Sequence, residues 1–175
     1  MNKKDTVVFD LDGTLLDTLE DLKNSVNYAM TQCGYPEHTL DEVRRYVGNG
    51  ILLLMQRAIP GGKDDPNFDK AFTLFKEHYG KHCNDTTKSY AGIMELLHTL
   101  KENNIKIAIV SNKADFAVKE LNAIYFKDLI LVAIGEKDRA NKKAAQEIHK
   151  GITNSKFHTF KGGHELNKDC PVELS

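Results

Sequence analysis

The stretch IMELLHTLKENNIKIAIVSNKADFAVKELNAIY, residues 93–125, decides the fold. Its first part spaces apolar residues at helical intervals, and IKIAIV then gathers them into a short continuous run of strand length. ADFAVKELNAIY returns to helical spacing. The rhythm continues with LILVAIG (129–135) as a strand, KKAAQEIHKGI (142–152) as a helix and KFHTFKGG (156–163) as a strand. Strands alternating with helices of about ten residues imply parallel β-α-β units. The expected class is α/β, a three-layer, doubly wound, Rossmann-like parallel sheet.

Upstream, TVVFD (6–10) reads as a buried strand, and a polar, all-helical stretch follows it. Residues 17–33 place Leu19, Leu22, Val26 and Ala29 on one helical face. TLDEVRRYVG offers Thr39 as an N-cap with Glu42 three residues on, a capping-box pattern. ILLLMQRAI and FDKAFTLFKEHYGKHC complete the helical series, the latter aligning Phe68, Ala71, Phe72, Phe75 and Tyr79. The expected organisation is a core domain built from 1–17 and 87–175, with a helical cap inserted over 18–86.

Composition narrows the function. Apolar residues make up 41% and charged residues 28% of the 175, a globular balance. A net charge of −1 gives no electrostatic case for nucleic acid or an anionic membrane as partner. The apolar cluster Ile51–Met55 is far too short to span a bilayer. The charged N-terminus runs straight into a strand, so no signal peptide is expected. Three widely spaced cysteines, Cys33, Cys83 and Cys170, suggest reduced thiols and a cytoplasmic location. His38, His78, His82, His98, His149 and His158 form no ligand pattern and are expected on the surface or in the core.

The chemistry concentrates in VVFDLDGTLLD, residues 7–17. Asp10 and Asp12 close a strand two residues apart, where like charges repel and burial is costly. A bare D-x-D-G is often only a turn. Here it sits at the carboxyl end of a strand expected in a parallel sheet, where such folds bind ligands. Ser111, Asn112 and Lys113 fall at a second strand end. Two acids, a hydroxyl and an ammonium suit a metal and a phosphate. Mg²⁺ takes hard oxygen ligands and keeps several waters. A carboxylate in line with phosphorus can attack it, and a second can move the proton. Gly13 lets the backbone pass close to a phosphate.

FDLDGTLLDT closely resembles the first motif of the haloacid dehalogenase-like superfamily, and IVSNK (109–113) its second. DTLEDLKNSVNYAMTQCGYP, VRRYVGNG and YAGIMELLHTLKENNIKIAIVSNKAD resemble the phosphoglycolate phosphatase-like branch over about residues 5–130. The resemblance implies Asp10 as nucleophile and Mg²⁺ ligand. It makes Asp12 the general acid/base, binding the metal through its backbone carbonyl. Ser111 and the Asn112 backbone would hold phosphoryl oxygens. Gly13, Thr14 and Lys113 would line the substrate site, and Arg45 and Asn49 of the VGNG region would help select the substrate. Lys143, or Lys142 beside it, is the closest match to the family's phosphate-neutralising lysine, although the usual Pro-rich text is missing.

The pattern departs at the end. The family closes its metal site with a Gly-Asp and a further acid, whereas this chain has FHTFKGGHELNKD, in which Glu165 and Asp169 stand as substitutes. From about residue 129 the text also resembles the closing segment of an α/β-hydrolase, with Asp138 and His164 as triad members. No G-x-S-x-G is present to supply the nucleophile elbow, and Ser111 has no flanking glycines. The chain therefore reads as a Mg²⁺-dependent phosphatase of a small phosphorylated metabolite, working through an aspartyl-phosphate. The alternatives are a catalytically impaired or chimeric phosphate- or metal-binding protein and, further off, a serine-hydrolase-type esterase.

Overall fold

The computed structural model describes residues 6–133. In chain order these form β1 (Thr6–Phe9), β2 (Leu16–Asp17), α1 (Leu19–Gln32), α2 (Leu40–Tyr46), α3 (Ile51–Ala58) and α4 (Phe68–His82). Then come β3 (Lys88–Ser89), α5 (Ile93–Glu102), β4 (Lys106–Val110), α6 (Asp115–Leu121) and β5 (Leu131–Ala133). Strands β1, β4 and β5 make a parallel sheet in that order, the Rossmann-type α/β arrangement expected from the alternation of strand and helix. KKAAQEIHKGI, KFHTFKGG, Cys170 and the α/β-hydrolase-like tail with Asp138 and His164 lie outside the described residues.

The first strand is less buried than its sequence suggests. Val8 keeps 54% of its surface, and Val7 and Phe9 are half-buried. Among the described strands β1 is an edge that pairs only with β4, and Val8 lies on the opposite face from Phe9. The helix expected over 114–125 also changes winding. α6 stops at Leu121, and one wider turn of π-type winding, Asn122–Phe126, follows it.

Two apolar clusters hold the described residues together. Leu11, Leu15, Leu97, Ile107, Ile109, Val118, Leu121 and Phe126 form the one against the sheet. Val26, Met30, Val43, Met55, Phe75 and Tyr79 lie in the second, among α1–α4. Each such side chain contributes about 1.5–3 kcal/mol by leaving water. The capping box expected at α2 is present, with the Glu42 N–H donating to Thr39 Oγ1 at 3.3 Å and the Thr39 N–H to Glu42 Oε2 at 2.8 Å.

The chain passes from the sheet to the helices and back through one joint. Strands β2 and β3 pair antiparallel there, Leu16 with Ser89 and Asp17 with Lys88. Beside them Asp21, 1% exposed, accepts hydrogen bonds from the backbone and hydroxyl of both Thr86 and Thr87, at 2.6–3.1 Å. The Tyr125 hydroxyl, carried by the π turn, reaches the same joint and lies 2.6 Å from the Thr87 carbonyl. Cys33 and Cys83 are free thiols, and burial with the Glu120 charge pushes Cys83 up to about 11.

Candidate active site

Parallel pairing in register sets Phe9 beside Ile109, so Asp10 and Ser111 leave the sheet at the same end. After Asp10 the chain turns sharply. The Leu11 carbonyl accepts the N–H groups of Thr14, Leu15 and Leu16 at 3.0–3.4 Å, and Gly13 takes φ +73°, a left-handed angle that a Cβ would strain. Leu11 and Leu15 are thereby driven into the core. Asp10 and Asp12 are left at the rim of a cavity of about 120 Å³.

Each acid is anchored by one oxygen. Asp10 Oδ1 accepts the Leu11 N–H at 2.7 Å. Asp12 Oδ1 accepts the Thr18 hydroxyl at 2.6 Å and the Lys113 ammonium at 2.8 Å. Among the described residues neither Oδ2 has a partner, and the Asp12 backbone carbonyl accepts no hydrogen bond. Partial desolvation is the main reason the Asp10 pKa is raised. The Leu11 N–H opposes this, the Asp12 charge adds to it, and the Lys113 charge opposes it again.

The Lys113 side chain is only 2% exposed, against 33% for Asp12. It is a buried cation held between a carboxylate and the face of Tyr79, whose ring centroid lies 5.1 Å from Nζ. Tyr79 is fully buried, and among the described residues its hydroxyl has no hydrogen-bond partner. Burial, followed by the Asp12 charge, keeps that hydroxyl well above the usual tyrosine range. Ser111 is buried, and its Oγ accepts the Lys113 N–H at 3.2 Å, leaving its own hydrogen free to donate. The Asn112 amide donates to the Gly48 carbonyl at 2.8 Å. Gly50 takes φ +83°, a left-handed angle that a side chain would strain, and lies beside the Asn112 carbonyl.

Five residues singled out from the sequence thus meet at one cavity: Asp10, Asp12, Ser111, Asn112 and Lys113. Four others in the described region do not line it. Gly13 and Thr14 are exposed, curled outward by the bonds to Leu11. Arg45 is exposed on α2, two positions from the buried Val43 and so on the far side of the helix. Asn49 stands between lining residues Gly48 and Gly50, but its Oδ1 is taken by Arg57 Nη2 at 3.0 Å. Lys143, Lys142, Glu165 and Asp169 lie outside the described residues. Sequence reasoning missed Thr18 as a partner of Asp12, Tyr79 as the surface under Lys113, and the apolar wall of Leu22, Val47, Ile51 and Leu54. The spacing of Tyr79 marks only an apolar helix face, and nothing local in the sequence sets Thr18 apart.

A hard cation suits the donors present. They are oxygens, one on each carboxylate and one backbone carbonyl without a partner among the described residues, beside a small cavity. No group of three or more His, Cys, Asp or Glu side chains converges among the described residues, so an ion here would keep several waters.

A family model described as haloacid dehalogenase-like hydrolase matches residues 7–160. The phosphoglycolate phosphatase of Nitrosospira multiformis is 33% identical over 142 residues, covering 78% of this chain and 63% of the relative. That of Thiobacillus denitrificans is 35% identical over 113 residues, covering 62% and 50%. The crystal structure of a predicted phosphoglycolate phosphatase from Haemophilus somnus superposes with a TM-score of 0.71 at 29% identity, covering 77% of this chain and 64% of that one. The chain thus spans about half to two thirds of the length of these relatives. The matched model includes both strand ends that carry the acids and the serine, and the chain belongs to the haloacid dehalogenase-like hydrolase family.

Proposed function

We propose that the protein is a Mg²⁺-dependent phosphomonoesterase acting on a small phosphorylated metabolite of the phosphoglycolate type. The observation that carries this reading is the pair of half-anchored carboxylates, each with one oxygen unpartnered among the described residues, at a cavity shared with a buried serine and a buried lysine. The cavity brings both carboxylates together with Ser111, Asn112 and Lys113, a set of groups suited to a phosphoryl group. The names of the relatives in Nitrosospira and Thiobacillus support the same substrate class.

Asp10 attacks phosphorus with its free oxygen, forming an aspartyl-phosphate as the P–O bond to the leaving group breaks. Asp12 gives the leaving oxygen its proton and then takes one from water, which attacks the phosphorus, releases phosphate and restores Asp10. Thr18 and Lys113 fix the Asp12 carboxylate for both transfers. Ser111 donates its hydroxyl hydrogen to a phosphoryl oxygen, with the Asn112 backbone beside it. Asp10 and the Asp12 backbone carbonyl would hold a Mg²⁺ ion, which would supply neutralisation of phosphoryl charge. Lys143 is assigned the remaining positive charge, and Glu165 and Asp169 the remaining metal ligands. The helical segment 18–86 acts as a cap, contributing Val47, Gly48, Gly50, Ile51, Leu54 and Tyr79 to the cavity wall.

The test is hydrolysis of a panel of small phosphate esters with and without Mg²⁺, comparing the wild type with Asp10→Asn. Turnover is expected only with Mg²⁺, and the substitution lowers kcat by at least about 10³-fold. Equal rates in the two proteins, or phosphate binding without turnover in the wild type, would sink this reading.

A further inference from the structure

Burial of the Lys113 side chain leaves its ammonium with few partners. Among the described residues it makes one hydrogen bond, to Asp12 Oδ1 at 2.8 Å. An ammonium has three N–H donors and gives up strong hydration when buried. Its other partner among the described residues is the ring of Tyr79, whose centroid lies 5.1 Å from Nζ. An aromatic face attracts a cation electrostatically, and the attraction grows where water is excluded.

Tyr79 belongs to α4 in the helical segment, whereas Lys113 follows β4 and Asp12 follows β1 in the sheet. The ring is fully buried in aromatic surroundings. Phe75 stacks on it at 5.4 Å, and Phe116 meets it edge-on at 6.3 Å. These neighbours orient the ring without help from its hydroxyl, which has no hydrogen-bond partner among the described residues. A buried tyrosine usually finds one. What this side chain offers is therefore its face and not its oxygen. Next to Lys113, the Asn112 amide is bonded to the Gly48 carbonyl. Consecutive residues at the end of β4 thus contact two separate parts of the helical segment, and both line the cavity.

We propose that Tyr79 is a positioning residue: its ring face holds the Lys113 ammonium against Asp12 Oδ1 and so fixes the carboxylate that carries the proton. The proposal rests on the phosphatase reading, in which Asp12 is that carrier. Asp12 is one-third exposed, and only Thr18 and Lys113 direct its carboxylate among the described residues. Tyr79 acts through Lys113 and not on the substrate. Because the ring is carried by α4, the set of the helical segment against the sheet becomes part of the active geometry.

The test measures kcat and KM with Mg²⁺ on the best ester of the panel for the wild type, Tyr79→Phe, Tyr79→Leu, Lys113→Met and the Tyr79→Leu/Lys113→Met double variant. Tyr79→Leu lowers kcat by about 10–100-fold with KM moving less, the effect of displacing a proton carrier. Tyr79→Phe keeps the face and stays within about twofold of the wild type. The double variant matches Lys113→Met within about twofold, because the ring has no other route to Asp12. Phe68→Leu takes a ring from the same helix and the same apolar cluster, so it lowers Tm and leaves kcat per folded molecule unchanged. Unchanged kcat in Tyr79→Leu, an equal loss in Tyr79→Phe, or losses that multiply in the double variant would overturn the proposal. Proton NMR supplies a readout that needs neither turnover nor the folding of Tyr79→Leu. The Lys113 ε-methylene protons, identified by their disappearance in Lys113→Met, are expected upfield of the other lysines through the Tyr79 ring current, in the wild type and Tyr79→Phe alike. An unshifted signal overturns the proposal. A shifted signal in a wild type that hydrolyses no ester sinks the phosphatase reading and the proposal with it, an outcome distinct from turnover that ignores Tyr79.

Discussion

Asp21 and Asp12 stand nine positions apart and are used in opposite ways. Asp21 is withdrawn from water, and its two oxygens are filled by four donors from Thr86 and Thr87. Asp12 is one-third exposed, receives a hydroxyl and an ammonium on one oxygen and keeps the other open to the cavity region. Saturation makes a carboxylate a fastening, because any movement leaves buried donors unpaired. Incomplete satisfaction keeps the second carboxylate reactive. The difference separates residues that hold the sheet and helices together from residues that act on a ligand.

Lys113→Met probes the open side of this contrast most strongly. It removes the ammonium that fixes Asp12, and misplacement of the proton carrier lowers kcat by about 10²-fold while KM moves less. Unchanged kcat would put Lys113 outside the machinery. Asp21→Asn probes the saturated side. Loss of hydrogen bonds to a charged group costs about 1.5–3 kcal/mol. That lowers Tm by about 3–12 °C at 2–4 °C per kcal/mol, with kcat per folded molecule retained. A Tm held within 1 °C or so of wild type would break the comparison. Tyr79→Phe sharpens it: the ring face under Lys113 stays and an unpartnered buried hydroxyl goes. Thermal unfolding should then show a Tm equal to or above the wild type, with kcat within about twofold. A marked loss of kcat would assign the hydroxyl a direct part.

Much of this architecture is written locally in the chain. Alternation around β4 and the Thr39–Glu42 cap depend on neighbours within a few residues, and the structure bears them out, while the D-x-D-G after β1 places Asp10 and Asp12 at a cavity. The convergence of Asp10 with Ser111 was also legible, because parallel strands must end on the same side of their sheet. Other contacts were not. The Tyr79–Lys113 contact joins residues 34 apart, and the Asp12–Lys113 ion pair joins residues 101 apart. Neither distance leaves a periodic trace. Val8 misled because an apolar run reports what a strand can bury, and not which of its faces is covered. Arg45 was placed at the site by family resemblance, whereas the rotation of α2 is set by Val43 in the helical cluster.

The bond from the Asn112 amide to the Gly48 carbonyl has a consequence for populations. It ties the loop between α2 and α3 to the chain end of β4, and both of its residues line the cavity. One neutral hydrogen bond is worth about 0.5–1.5 kcal/mol net, which biases that loop toward its tied position by about two- to thirteenfold. Asn112→Ala removes the tie, and amide hydrogen exchange at residues 47–51 should quicken by a similar factor. Exchange at the wild-type rate would show that the loop is held by its apolar contacts alone.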